Sequence, residues 1–122
     1  MRAPNILVVD DEPAVLRLMA MALARQGWQI YQAKDAVTAV TTAKGLKCGL
    51  NLLITDIDMP GIAGDELIRQ IRKMCPLVDV LAISGALPES SHGLANIPYL
   101  QKPFDMMRLA EVSREILSSQ LI

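Results

Sequence analysis

Short apolar runs and amphipathic stretches alternate along these 122 residues. NILVV (5–9) is an unbroken run rich in β-formers, the pattern of a strand buried on both faces. Asp10, Asp11 and Glu12 end it, and Pro13 stands where the first turn of a helix tolerates proline. Val15, Leu16, Met19, Ala22 and Leu23 then recur at helical spacing, up to a stop at Gly27. WQIYQA (28–33) predicts a second strand, and Asp35 caps a helix over AVTAVTTAK that Gly45 closes. LNLLIT (50–55) predicts the third strand. Asp65 is expected to cap a helix carrying Leu67, Ile68, Ile71 and Met74, which Pro76 stops. VDVLAIS (78–84) and PYLQ (98–101) predict a fourth and a fifth strand. Pro103 and Asp105 open a last helix with Leu109, Val112 and Ile116 on one face.

This is βα alternation, which implies an α/β fold: a doubly wound five-stranded parallel sheet with helices on both faces, joined by right-handed crossovers. The whole chain, 1–122, reads as one domain without linker or repeat. One connection is irregular. GALPESSHGLANIP (85–98) carries Pro88, Gly93 and Pro98, so the fourth helix is expected to be shortened or missing.

Composition agrees and narrows the function. Hydrophobic residues make up 52 %, which suits a sheet covered on both sides. A net charge of −1 lacks the electrostatic footprint of a nucleic-acid or membrane-surface binder. Cys48 and Cys75 show no metal-ligand spacing and read as reduced thiols of a cytoplasmic protein. His92 reads as a loop residue without a role. No leader or membrane span is expected: the chain runs from MRAPN straight into a short apolar run.

Polar side chains gather where the apolar runs stop. Asp10 and Asp11 follow the first strand, Asp56 the third, Ser84 ends the fourth and Lys102 follows the fifth. In an open α/β sheet, ligands bind outside these carboxyl ends. Carboxylates crowded there would repel one another, and one would protonate unless a cation intervened. Hard oxygen donors without nearby His or Cys favour Mg²⁺, for which Mn²⁺ can substitute. Lys102 adds a second positive charge and Ser84 a hydroxyl donor. The set describes a pocket for a phosphoryl group, with a carboxylate as nucleophile.

ILVVDDEP, LLITDIDMPGIAG, AISGA and YLQKPF, in that order, resemble the motifs of the response-regulator receiver domain of two-component signalling. The resemblance covers essentially the whole chain. It implies a flavodoxin-like sheet of order 2-1-3-4-5. It makes Asp56 the phosphoacceptor. Asp11 becomes a direct metal ligand, Asp10 a ligand through water, and Asp58 a ligand through its backbone carbonyl. Ser84 becomes the switch hydroxyl, Lys102 the phosphate-pairing lysine before a cis-type Lys-Pro bond, and Tyr99 the switch aromatic. The implied donor is a sensor histidine kinase or histidine phosphotransfer protein, and the implied activity is self-phosphorylation and self-dephosphorylation rather than turnover of an external substrate. The Asp58 side chain borders the phosphoryl site, where it would either repel the anionic group or tighten metal binding.

Two other readings stay open at this point. DIDMP also resembles the Asp-x-Asp nucleophile motif of haloacid-dehalogenase-type phosphatases, although Pro60 stands where that family wants Thr or Val. A receiver-like module that binds partners without phosphorylation is the other. Taken singly, the residues have plainer explanations: Asp-Asp-Glu as helix-capping chemistry, Lys102 as a surface lysine, Ser84 as a strand-end hydroxyl, Tyr99 as core. A short segment between Ser84 and Lys102 resembles receivers of hybrid kinases and phosphorelays. It predicts a monomer or weak dimer rather than the dimer of DNA-binding regulators. With no effector domain after residue 122, the chain is expected either to act alone on an unidentified downstream target or to be part of a longer protein.

Overall fold

The computed structural model describes residues 3–59, 64–85 and 97–119. Its five strands are β1 (Asn5–Val9), β2 (Gln29–Ala33), β3 (Leu52–Asp56), β4 (Asp79–Ser84) and β5 (Tyr99–Gln101). Its four described helices are α1 (Pro13–Ala24), α2 (Ala36–Gly45), α3 (Gly64–Met74) and α4 (Met106–Ser118). All four strand pairings are parallel, in the order β2-β1-β3-β4-β5. The expected shortening of the helix between β4 and β5 falls on 86–96, outside the described residues.

Alternation along each strand divides the core in two. Ile6, Val8, Leu52, Ile54, Leu81 and Ile83 face α1 and α4, meeting Leu16, Met19, Leu23 and Leu109. Leu7, Val9, Leu53 and Val80 face α2 and α3, meeting Ala39, Ala43, Leu67, Ile68 and Ile71. The central strand β3 is buried throughout, whereas β2, at the edge, exposes Gln29 and Gln32. That contrast is why β3 reads as a continuous apolar run and β2 does not.

Most element ends match the sequence pattern, and three differ. The Asp35 carboxylate accepts from the Thr38 N–H at 2.7 Å, and Asp105 from the Arg108 N–H at 2.7 Å, so both act as the expected caps. Asp65 does not cap α3. The helix starts at Gly64, which puts Asp65 and Glu66 in its first turn, where negative charge suits the helix dipole. Gly45 stays helical, and the left-handed residues after α2 are Lys47 and Cys48, with φ of 49° and 65°. At the end of α1, Gly27 does take the left-handed turn, with φ 88°. The third strand begins two residues later than its apolar pattern and includes Asp56.

Candidate functional site at the carboxyl edge of the sheet

Strand register alone assembles the site. Val9 pairs with Thr55, so Asp10 and Asp56, each one step further, lie side by side. Asp56 pairs with Ile83, which brings Ser84 just beyond it, and Ser84 pairs with Gln101, which brings up Lys102. The Lys102 N–H donates to the Ser84 carbonyl at 2.8 Å and continues the ladder, and the Lys102–Pro103 bond is cis. Asp11, one residue after Asp10, is exposed at the mouth.

Both oxygens of Asp56 are held, and the residue is 3 % exposed. Oδ2 accepts from Lys102 Nζ at 2.9 Å, and Oδ1 accepts from the Asp58 N–H at 2.8 Å. Asp10 is fully buried. Its Oδ1 accepts from the Glu12 N–H at 2.9 Å, while its Oδ2 has no hydrogen-bond partner among the described residues. Lys102 Nζ stands 3.6 Å from that oxygen, close enough for attraction only. Burial pushes the Asp10 carboxyl above its ordinary pKa. The Glu12 N–H and Lys102 pull it back, and the charges of Asp56 and Asp11 add to the rise. For Lys102, burial works against the charge, but the hydrogen bond to Asp56 and the charges of Asp56, Asp10 and Glu12 outweigh it and raise the pKa.

The donor set fits a divalent cation. Asp10, Asp11 and Asp56 each offer a carboxylate oxygen, all within 4.8 Å of one another. A buried carboxylate oxygen without a hydrogen bond is costly and calls for a positive partner. Three hard oxygens and no sulfur or imidazole are what Mg²⁺ takes, usually with water completing its shell.

The other expected residues come together unevenly. Ser84 is 3 % exposed and reaches the site, but its hydroxyl donates to Asp58 Oδ2 at 3.1 Å. The Gly85 N–H donates to the same oxygen at 2.9 Å. Chain spacing gave no sign of this: Ser84 and Asp58 are 26 residues apart. Tyr99 pairs with Ala82 across the β4–β5 ladder, on the same sheet face as Ser84 and one strand over. Its hydroxyl is buried without a partner among the described residues. Gly64 was legible only as part of a motif. A Cβ there would lie 2.4 Å from Ile57 Cα, so only glycine lets the start of α3 close onto the turn after Asp56. Pro60, Gly61 and His92 lie outside the described residues.

A family model described as the response regulator receiver domain matches residues 6–114. The transcriptional regulatory protein ResD of Bacillus subtilis is 38 % identical over 104 residues, covering 82 % of this chain and 42 % of that protein. Sensor kinase CckA of Brucella abortus is 29 % identical over 120 residues, covering 95 % of this chain and 13 % of that protein. The chain therefore spans less than half the length of these curated relatives. A CheY-like receiver domain protein of Methanospirillum hungatei has a TM-score of 0.87 at 25 % identity, covering 98 % of this chain and 97 % of that one. TrrA of Thermotoga maritima, solved in complex with Mg²⁺-BeF, has a TM-score of 0.81 at 29 % identity, covering 93 % and 99 %.

Proposed function

This chain belongs to the response regulator receiver domains of two-component signalling, and from that premise we propose that Asp56 is its phosphoacceptor. The observation that carries the reading is the Asp56 carboxylate itself. It is buried at a strand end, oriented at both oxygens by Lys102 and the Asp58 N–H, and adjoins an Asp10 oxygen that no hydrogen bond satisfies among the described residues.

One Asp56 oxygen attacks the phosphorus of a phosphohistidine on a sensor kinase or phosphotransfer protein. The P–N bond breaks, an O–P bond forms, and the imidazole leaves. Lys102, already beside Asp56, offsets the charge that gathers on the phosphoryl oxygens. Asp10, Asp11, Asp56 and the backbone carbonyl of Asp58 would hold Mg²⁺, or Mn²⁺ in its place. The ion supplies charge neutralisation at the phosphoryl group. Ser84 donates its hydroxyl to the new phosphoryl group, and Tyr99, on the same face, transmits the shift. Water then hydrolyses the acyl phosphate and resets the domain. No external substrate is turned over, so the protein is a signalling domain rather than an enzyme.

The partners follow from this chemistry: a histidine-bearing phosphodonor upstream and a protein target downstream. Among the described residues no helix is long and apolar enough to cross a membrane. A cytoplasmic setting and a monomeric or weakly dimeric state belong to the same reading. Analytical ultracentrifugation with beryllofluoride checks the last point, and a stable phospho-dependent dimer would overturn it.

The deciding experiment treats wild type and Asp56→Asn with acetyl phosphate, or with beryllofluoride, in the presence of Mg²⁺. Amide NMR shifts around Asp10, Asp56 and Lys102 are expected in wild type alone. Trp28 precedes β2 at the opposite edge of the sheet, so its fluorescence is a poor reporter. No response in wild type would sink the phosphoacceptor reading. Steady hydrolysis of a phosphomonoester would point instead to a phosphatase.

A further inference from the structure

We propose that the Asp58 carboxylate is a built-in competitor of the phosphoryl group, which occupies the Ser84 hydroxyl and the Gly85 amide before Asp56 is modified. The proposal rests on the phosphoacceptor reading of Asp56.

Asp58 Oδ2 accepts two hydrogen bonds, from Ser84 Oγ at 3.1 Å and from the Gly85 N–H at 2.9 Å. Two donors converging on one anionic oxygen form the same kind of arrangement that stabilises an oxyanion in a reaction. This one stands beside the phosphoacceptor, because the Asp58 backbone N–H is itself bonded to Asp56 Oδ1 at 2.8 Å. Asp58 therefore links Asp56 through its backbone and the β4 end through its side chain. Burial does not force the contact, since Asp58 is exposed. Nor does the neighbouring cation claim this carboxylate, since Lys102 is engaged by Asp56 and Asp10.

The consequence is an exchange of one anion for another. A phosphoryl oxygen on Asp56 gains the Ser84 hydroxyl only when Asp58 releases it. The switch is then driven by the difference between two sets of charge-assisted bonds, not by the whole of one set. Tyr99 feels the exchange, because it lies on the same sheet face as Ser84 with a buried hydroxyl that has no partner among the described residues. Asp58 thereby sets the threshold of switching, a role beyond its backbone contribution to the metal site.

The test compares wild type, Asp58→Ala, Asp58→Asn, Ser84→Ala and the Asp58→Ala/Ser84→Ala double variant by amide NMR, with beryllofluoride affinity measured at saturating Mg²⁺. Without any added ligand, the Gly85 amide is expected to move upfield and exchange faster in Asp58→Ala. Asp58→Asn, which keeps an acceptor oxygen, is expected to hold it near the wild-type position. Beryllofluoride is expected to bind Asp58→Ala roughly tenfold more tightly, the worth of one hydrogen bond to a charged group. In the Ser84→Ala background that gain is expected to shrink by at least about threefold, because the contested hydroxyl is gone. An unmoved Gly85 amide would overturn the proposal. So would an equal gain with and without Ser84, which would mean simple charge repulsion. If wild type and Asp56→Asn alike ignore beryllofluoride, the phosphoacceptor reading fails and the competition with it, while the Gly85 amide still reports whether the contact exists.

Discussion

The two edges of the sheet are built on opposite terms. At the amino edge polar groups find partners. Asn51 Oδ1 accepts from the Asn5 N–H at 2.8 Å, Asn5 Nδ2 donates to the Gly49 carbonyl at 2.8 Å, and Cys48 Sγ donates to the Met74 carbonyl. At the carboxyl edge, carboxylates crowd together, Asp10 keeps a buried oxygen without a hydrogen bond among the described residues, and one lysine serves two anions. The first edge is arranged for stability. The second concentrates unbalanced charge, at some cost to the unliganded fold, and under the proposed function a cation and a phosphoryl group offset it.

Asp10→Asn breaks the comparison most sharply. Removing the carboxylate charge is expected to weaken Mg²⁺ binding by about a hundredfold, read by calorimetry. The same change is expected to stabilise the metal-free protein by about 1 kcal/mol in urea unfolding, because it relieves repulsion with Asp56 and Asp11. Loss of stability without metal would mean that the acidic cluster is structural.

Gly64→Ala tests the same edge by packing. Its Cβ would collide with Ile57 backbone and side chain, so a loss of about 2–3 kcal/mol is expected, with Mg²⁺ affinity falling as the turn after Asp56 shifts. Asn51→Ala is the counterpart at the amino edge. It leaves the Asn5 N–H unpaired and is expected to cost about 1–2 kcal/mol with Mg²⁺ affinity unchanged. A change in metal affinity there would show that the two edges are not independent.

The smallest effect concerns pH. The hydrogen bonds from Thr38 hold the Asp35 carboxyl below its ordinary pKa, with the Lys34 charge adding to them. Its folded pKa lies under its unfolded one, so its contribution is complete above the ordinary carboxylate value. It disappears as pH falls through the lowered folded value. Asp35→Asn, which keeps a cap, is expected to flatten that part of the acid limb in a series of urea melts.

Local pattern determined a great deal of this protein. The largely apolar runs at 5–9, 50–55 and 78–84 marked the buried strands, because a strand covered on both faces is apolar along most of its length. Pro13, Asp35 and Asp105 marked helix starts, because capping and proline geometry act over a few residues. The placement of Asp10, Asp56, Ser84 and Lys102 at strand ends was legible for the same reason, and parallel pairing brought them to one edge.

Tertiary structure decided what those side chains bind. Asp58 read as a backbone ligand whose carboxylate only bordered the site, yet that carboxylate holds Ser84 and Gly85. Gly64 read as part of a motif, yet its lack of a Cβ lets α3 close onto Ile57. Cys48 read as a reduced thiol with no stated contact, and the fold brings it to the end of α3 through a left-handed turn. Each of these contacts joins different elements, and each depends on strand register and helix approach. Hydrophobic periodicity is a property of neighbours in the chain, whereas a hydrogen-bond partner is chosen among neighbours in space.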